Sequence, residues 1–342
     1  MNTENPNQAS PATVRLDTLA QGELQWLVPG FIPRGQICLL AGEGGVGKSS
    51  IACDIASSIS TGKPCALSPT AGNNTPGTVL MLNGEDSLEV ILGPKLARFG
   101  ADLSRIHSVS DSWEQRRDIY IGSEAFERIV TELKPDLCII DPIQSFLSPH
   151  VNMSARNAIR YCMSTLMRLA QNNGATFLIV CHTNKRSGVY ARNRVADSSD
   201  LWDASRSVLL VGTTEEEGKR YISHEKCNYG ALQDTIIFTL DDGLLQVLGT
   251  STKKDCDFVQ SKERFSKPSN TELCKQAFLR ILQEHQGRCE SAMLNEELVA
   301  EGYHLSAINS VRNGLKNTGQ VINRPEGPNH ARKWITEIVT NK

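Results

Sequence analysis

Five short, continuously apolar runs mark the first two thirds of the chain: 36–42 (QICLLAG), 78–83 (TVLMLN), 137–141 (LCIID), 176–181 (TFLIVC) and 207–212 (SVLLVG). Each is bounded by Gly, Asp, His or Thr, and longer segments separate them, several with helical periodicity. Between the third and fourth runs, Ile159, Cys162, Met163, Leu166 and Leu169 recur at helical spacing and predict an amphipathic helix. Strands that are apolar on both faces and alternate with helices predict a mainly parallel sheet covered on both sides, an α/β fold. After Val211 the pattern changes to 220–226 (RYISHEK), 235–240 (TIIFTL) and 243–248 (GLLQVL), with Asn-Tyr-Gly and Asp-Asp-Gly turns between them. These turns predict an antiparallel extension of the same sheet.

The flanks read differently. Residues 1–23 begin with a polar stretch that has two prolines and no periodicity, and are expected to form a disordered lead before a domain at 24–248. Residues 249–269 are polar and charged with one proline, and are expected to be a linker. In 270–342, a helix with Cys274, Ala277, Phe278, Ile281 and Leu282 on one face precedes two further helical stretches near 291–301 and 305–317. Two short strand-like pieces, QVIN and RKWIT, close the chain. Three helices followed by a two-strand wing predict a winged helix-turn-helix domain.

Composition fits this division. The 342 residues suit about two domains, at roughly 150 residues each. Hydrophobic residues are 39%, charged residues 22%, and the net charge is −2, ordinary values for a soluble globular chain. No apolar run approaches the roughly 18 residues of a membrane span, and the N-terminus lacks the apolar stretch of a signal peptide, so a cytoplasmic protein without membrane contact is expected. None of the ten cysteines forms a Cys-x-x-Cys pair. Cys38, Cys138 and Cys181 lie inside apolar runs, so the cysteines are expected to be reduced and structural.

The strongest chemical signal is 42–49, GEGGVGKS, a full match to G-x-x-x-x-G-K-[ST] between a predicted strand and a helix carrying Ile51, Ile55 and Ile59. Gly42, Glu43, Gly44, Gly45, Val46 and Gly47 would wrap a triphosphate with backbone N–H groups, and Ser50, at the helix start, is expected to bind the nucleotide with them. Lys48 would reach the β- and γ-phosphates and Ser49 would hold Mg²⁺, making ATP and Mg²⁺ the expected cofactors. Asp141, ending a buried strand, is the expected second magnesium partner. Pro142 follows it, so the water-activating carboxylate must come from elsewhere. Glu85, just beyond the strand TVLMLN, is the best candidate and Asp86 its alternate. His182 ends its own strand and is placed to sense the γ-phosphate.

The phosphate loop, Glu85-Asp86, Asp141, His182-Thr-Asn-Lys185 and Lys226-Cys-Asn228-Tyr-Gly together resemble the RecA-like ATPases. Among these they resemble most the RepA-type hexameric replicative helicases of plasmids and mobile elements. The resemblance covers about residues 24–248. It implies a catalytic ATP site between subunits of a ring, six by family pattern, with Arg206 and Lys226 supplied by the neighbour to stabilise the transferring phosphoryl group. Relatives often carry a Lys-x-Arg pair where this chain has Lys226 and Asn228, which favours Arg206 as the finger with Lys226 assisting. The resemblance also implies a DNA-contacting segment at 184–196, with Lys185, Arg186, Arg192 and Arg194 and no acid.

In the C-terminal helix 305–317, Leu305, Ile308, Val311 and Leu315 form the expected buried stripe, leaving Arg312 and Lys316 outward. Arg312, Lys316 and Lys333 are the candidate duplex contacts, although winged helices also dock proteins, a replication protein among them. The segments 184–196 and 304–336 each carry +4, which leaves −10 on the remainder, so a near-neutral total conceals two cationic zones. The combined expectation is a ring-forming ATPase motor on single-stranded DNA, a replicative helicase of a plasmid, phage or mobile element. The rival readings are a RecA-like regulatory or recombination-accessory ATPase that binds DNA without unwinding it, and a kinase built on the same core.

Overall fold

The computed structural model describes residues 13–72, 75–110, 112–148, 156–184, 189–195, 199–265, 270–328 and 332–339. The chain divides into two compact units, residues 1–264 and 265–342.

The first unit opens with a small antiparallel pair, β1 (Trp26–Val28) and β2 (Ile32–Pro33), then β3 (Ile37–Gly42) and α1 (Lys48–Thr61). There follow β4 (Val79–Asn83), α2 (Gly93–Arg98), β5 (Ile106–His107), α3 (Trp113–Arg116), α4 (Glu124–Leu133), β6 (Leu137–Asp141), α5 (Arg156–Asn173) and β7 (Thr176–His182). The unit continues through α6 (Ser199–Ala204), β8 (Ser207–Thr213), β9 (Arg220–Cys227), β10 (Thr235–Asp241), β11 (Leu244–Ser251) and α7 (Asp255–Phe265).

Among the described residues, nine strands form one sheet in the order β11-β10-β9-β8-β3-β7-β6-β4-β5. The pairings from β8 across to β5 are parallel and those from β8 outward to β11 are antiparallel, as the apolar runs and turns predict. Alternate side chains feed two cores. Cys38 and Leu40 of β3 join α1 on one face, while Ile37, Leu39 and Ala41 join Ile159, Cys162, Met163 and Leu166 of α5 on the other. The ten cysteines are free and eight are buried, which suits their reading as reduced, small apolar residues.

The segment expected as a linker carries structure instead. β11 runs to Ser251 and α7 spans Asp255–Phe265. Its polar composition hides the helix because, of the two residues buried among those described, Asp255 and Phe258, one is a carboxylate.

The second unit contains α8 (Asn270–Glu284), β12 (Arg288–Glu290), α9 (Ser291–Ala300), α10 (Leu305–Asn317), β13 (Val321–Glu326) and β14 (Lys333–Ile338), with its three strands ordered β12-β14-β13. β12, three residues long, has no apolar run to announce it. The predicted stripe of α8 is buried throughout, as are Ile308, Val311 and Leu315 of α10. Leu305, the first residue of α10, is exposed, because the helix begins beyond the edge of that core. No helix among the described residues is long and apolar enough to cross a membrane.

One buried and one half-buried titratable group in the first unit, His224 and Asp54, make its stability respond to pH in opposite senses. His224 accepts the Gln233 N–H at Nδ1 (3.1 Å) and lies 3.1 Å from the Ser207 hydroxyl at Nε2, so it is held neutral. Burial, aided by Lys254, pushes it down to about 4. Burial pushes the Asp54 carboxyl of α1 up to about 6. Between pH 6.5 and 4 the unfolded chain protonates His224 while the folded chain does not, so its contribution falls as pH falls, by on the order of 3 kcal/mol. Asp54 acts the other way, since below pH 6 the folded chain takes up the proton first. In urea melts from pH 7 to 4, the stability gap between wild type and His224→Gln is expected to narrow with falling pH. Wild type is expected to gain on Asp54→Asn over the same range.

Candidate nucleotide site and DNA-contact residues

The phosphate loop forms as it does because β3 must end abruptly and turn into α1. Gly45 and Gly47 hold φ of 75° and 101°, a left-handed backbone that disfavours side chains, and Gly47 caps α1. Gly42 is required for space: a Cβ there would lie 2.6 Å from the Val211 carbonyl oxygen on β8. The first-turn N–H groups of α1 lack partners within the helix and carry its positive end, a natural seat for phosphate. Lys48 is buried and donates to the carbonyls of Gly42 (2.9 Å) and Glu43 (2.7 Å). Glu43, Gly44 and Gly45 are exposed, whereas Val46 and Ser50 anchor the loop and helix in the interior.

Asp141 sits at the end of β6, buried and hydrogen-bonded to Ser49. Burial raises its pKa, the Ser49 bond lowers it, and the Glu85 charge raises it further against Lys48 and Lys95. Lys48 is lowered in turn by burial, against the pull of Asp141, Cys181, Glu85 and Glu43. Ser49, Asp141, Lys48 and Glu85 are therefore electrostatic neighbours. A buried carboxylate bonded to the loop hydroxyl beside a lysine is the donor set that magnesium uses together with phosphate oxygens, so these residues fit Mg²⁺ with a nucleotide. The described residues contain no cluster of three His, Cys, Asp or Glu that would chelate a metal unaided.

Glu85 is carried past the end of β4 by a residue the sequence reading passed over. Asn83, buried, accepts the N–H groups of Glu85 (3.2 Å) and Asp86 (3.3 Å) and donates to the Asp86 carbonyl (2.6 Å). The Gly84 N–H donates to the Asp141 carbonyl at 2.9 Å, tying this turn to β6. An Asn two residues before a candidate base is the Asx-turn signal that could have found it. His182 ends β7 with Nδ1 3.4 Å from Lys48 Nζ, and the next residue, Thr183, donates its N–H to the Gly42 carbonyl at 3.1 Å. Glu85, Asp141, His182 and Lys48 thus converge on one end of the sheet.

Arg206 and Lys226 lie at the other end. β8 runs parallel to β3, pairing Ser207 with Cys38 and Val211 with Gly42, so Arg206 precedes the strand end that faces away from the phosphate loop. Lys226 faces β8 at Val208. Burial lowers the Lys226 ammonium, with Asp203 opposing and Arg206 and Arg192 adding to the effect, so three cations share this edge. Lys226 donates to the Trp202 (2.9 Å) and Asp203 (3.1 Å) carbonyls that end α6, whereas Arg206 has no carboxylate partner among the described residues.

The DNA candidates separate. Lys185 and Arg186 lie outside the described residues. Arg192 is exposed and hydrogen-bonds Asp203 at 2.5 Å, with Tyr190 exposed nearby in sequence. Arg194 does not fit the exposed-contact reading: it is 5% exposed and ion-paired with Asp255, which no local pattern shows because the partner lies on α7. In the second unit Arg312 is also not an outward contact. It lies over the Phe278 ring (5.6 Å) and donates to Asn295 and Asn309, with burial lowering its pKa. Lys333 pairs with Glu290 (2.8 Å) and Arg324 with Glu337 (2.6 Å), acids that fall outside the 304–336 charge window. Lys316 stays exposed with no carboxylate partner among the described residues.

The AAA domain family matches residues 3–188. The DNA repair protein RadA of Bacillus subtilis (strain 168) is 22% identical over 233 residues, 67% of this chain and 44% of RadA. The DNA repair protein RadA of Listeria monocytogenes is 24% identical over 263 residues, 73% of this chain and 50% of RadA. The chain spans about half the length of these curated relatives. Two solved structures are also similar. One is the KaiC-like protein PH0186 from Pyrococcus horikoshii OT3, with a TM-score of 0.48 and 16% identity over 66% of this chain and 99% of that one. The other is the flagellar accessory protein FlaH from Methanocaldococcus jannaschii, with a TM-score of 0.45 and 15% identity over 65% and 92%. Because the family match covers more than half of the sequence and takes in the phosphate loop, Glu85, Asp141 and His182, the chain belongs to the AAA domain family, with a RecA-like P-loop ATPase core.

Proposed function

We propose that this chain is an ATP-hydrolysing, ring-forming motor on single-stranded DNA, a replicative helicase of a plasmid, phage or mobile element. One observation carries the reading: the end of the sheet that holds the phosphate loop gathers Glu85, Ser49, Asp141 and Lys48, while Arg206 and Lys226 sit at the opposite end. Five residues of β-strand, roughly 16 Å, separate Arg206 from the level of the phosphate loop. That is too far for Arg206 to serve its own site, so in this reading it serves the site of a neighbouring subunit.

In this mechanism the phosphate loop and the α1 N-terminus bind the triphosphate, and Lys48 draws charge from its outer oxygens. Ser49 and Asp141 would hold Mg²⁺, which when bound neutralises charge on the phosphate oxygens. Glu85, fixed by Asn83, orients the attacking water and takes its proton. His182 links the γ-phosphate position to the chain that leaves β7. Arg192 and Tyr190, with Lys185 and Arg186, supply backbone and stacking contacts to single-stranded DNA. The order helix, strand, helix, helix, strand, strand in the second unit supports the winged-helix reading. Its paired cations favour a docking surface for a replication protein over a duplex grip centred on Arg312 and Lys333.

The relatives carry a DNA-repair name, and the rival reading is a regulatory or recombination-accessory ATPase that binds DNA without unwinding it. The test measures ATP turnover with and without single-stranded DNA, forked-duplex unwinding, and particle mass with ATP and DNA together. Stimulated turnover, unwinding and a closed ring are expected. Turnover indifferent to DNA together with no unwinding would falsify the motor. Equal affinity for single and double strands with stoichiometric action would assign the accessory role.

A further inference from the structure

Among the described residues, Arg194 and Asp255 form the one ion pair with both side chains buried, 6% and 0% exposed. Arg194 Nη1 donates to Asp255 Oδ1 and, at 3.1 Å, to the Tyr221 hydroxyl, which donates to the same carboxylate oxygen at 2.8 Å. The other carboxylate oxygen accepts the Ala191 N–H at 2.9 Å. The Asp255 N–H donates to Glu225 at 2.9 Å. Tyr221 in turn stacks on Phe258 of α7, ring centroids 4.4 Å apart, over Gly212, where a Cβ would fall 2.4 Å from the ring. The second guanidinium nitrogen of Arg194 reaches out of this buried cluster to Glu43 Oε1 in the phosphate loop, at 3.4 Å. The backbone closes the circuit: Asn184 donates to the Arg194 carbonyl at 2.8 Å, and Thr183 bridges Val195.

A buried ion pair is an expensive way to hold a fold, since an apolar pair of similar volume often holds it as well or better. What an apolar pair cannot supply is the reach to Glu43. We propose that Asp255 is a positioning residue that holds Arg194 against the phosphate loop, so that nucleotide binding and the placement of residues 189–195 and of α7 are coupled. A triphosphate in the loop adds negative charge on the Glu43 side of the guanidinium. That charge draws Arg194 toward the loop, and Asp255, bonded to the same guanidinium, carries the Ala191 N–H and the first turn of α7 with it. The coupling rests on the nucleotide site, and only its extension to DNA rests on the reading of 184–196 as a DNA-contacting segment.

The test is amide hydrogen exchange on the full chain, with and without a non-hydrolysable ATP analogue and Mg²⁺. In wild type, exchange over 189–195 and the start of α7 is expected to slow roughly tenfold with the analogue, within the usual range for coupled sites. Asp255→Asn strands a buried guanidinium and can unfold the protein, so the decisive variants are the apolar pair Arg194→Met/Asp255→Leu and, separately, Glu43→Gln. In both, the analogue-dependent slowing is expected to fall below about twofold, whereas a purely structural pair would change the melting temperature and leave the slowing intact. Retention of the full response in both variants, or its absence in wild type, overturns the proposal. Single-stranded DNA added to the same proteins separates the two readings. A wild type whose turnover ignores DNA sinks the motor and leaves the exchange result standing. Stimulation in wild type that is lost in the apolar pair extends the coupling to DNA.

Discussion

Glu85→Gln is expected to bind ATP with near-wild-type affinity and to hydrolyse it roughly 10²- to 10⁴-fold more slowly, the range that a positioned general base contributes. Glutamine keeps the size and the hydrogen-bonding reach of the side chain and removes only the ability to accept the proton of the attacking water. The Asn83 bonds that place this residue are made to the backbone of 85 and 86, so they survive the substitution. Single-turnover hydrolysis beside equilibrium binding of a fluorescent ATP analogue distinguishes the two effects. An active Glu85→Gln protein would move the role to Asp86, whose backbone the same asparagine holds.

The second large effect lies at the far end of the sheet. Arg206→Ala is expected to lower turnover by about 10³-fold or more, the measured scale for an arginine supplied to a transferring phosphoryl group. Lys48→Ala is expected to be equally inactive, through loss of the phosphate contact. Mixed together, the two inactive proteins are expected to recover activity, because an Arg206→Ala subunit keeps an intact phosphate loop and a Lys48→Ala neighbour keeps an intact arginine. Mixtures that stay inactive at every ratio would show that Arg206 acts elsewhere. Lys226 is a weaker candidate for the same test. Its ammonium already closes the end of α6 through two carbonyls, so Lys226→Ala disturbs α6 as well as any neighbour.

The sheet was legible because parallel strands buried on both faces must be apolar at every position, and such runs stand out against any helix. The nucleotide site was legible for a related reason: a loop that wraps phosphate fixes both residue type and spacing. Asp141 and His182 could be placed because strand ends on one side of a parallel sheet share a neighbourhood. What sequence could not show were partners delivered by tertiary structure. Arg194 reads as one cation among four until Asp255, 61 residues later, meets it in the interior. Lys333 and Arg324 read as free charge until Glu290 and Glu337 close on them. Charge counted over a contiguous window misses acids that the fold folds in from outside it. The short strand β12 and the polar helix α7 were missed because neither has an apolar stripe long enough to reveal its period.

The parallel pairing of β3 with β8 also bears on symmetry. It puts the phosphate loop and Arg206 on opposite ends of one subunit. Under the proposed mechanism, two copies related by a two-fold axis would present like surfaces to each other and leave both sites incomplete. Only head-to-tail contact, one subunit's Arg206 end against the next subunit's phosphate-loop end, completes every site. Such contacts propagate in one direction, so the active assembly has a built-in polarity: it either closes into a ring or grows as a filament with two unlike ends.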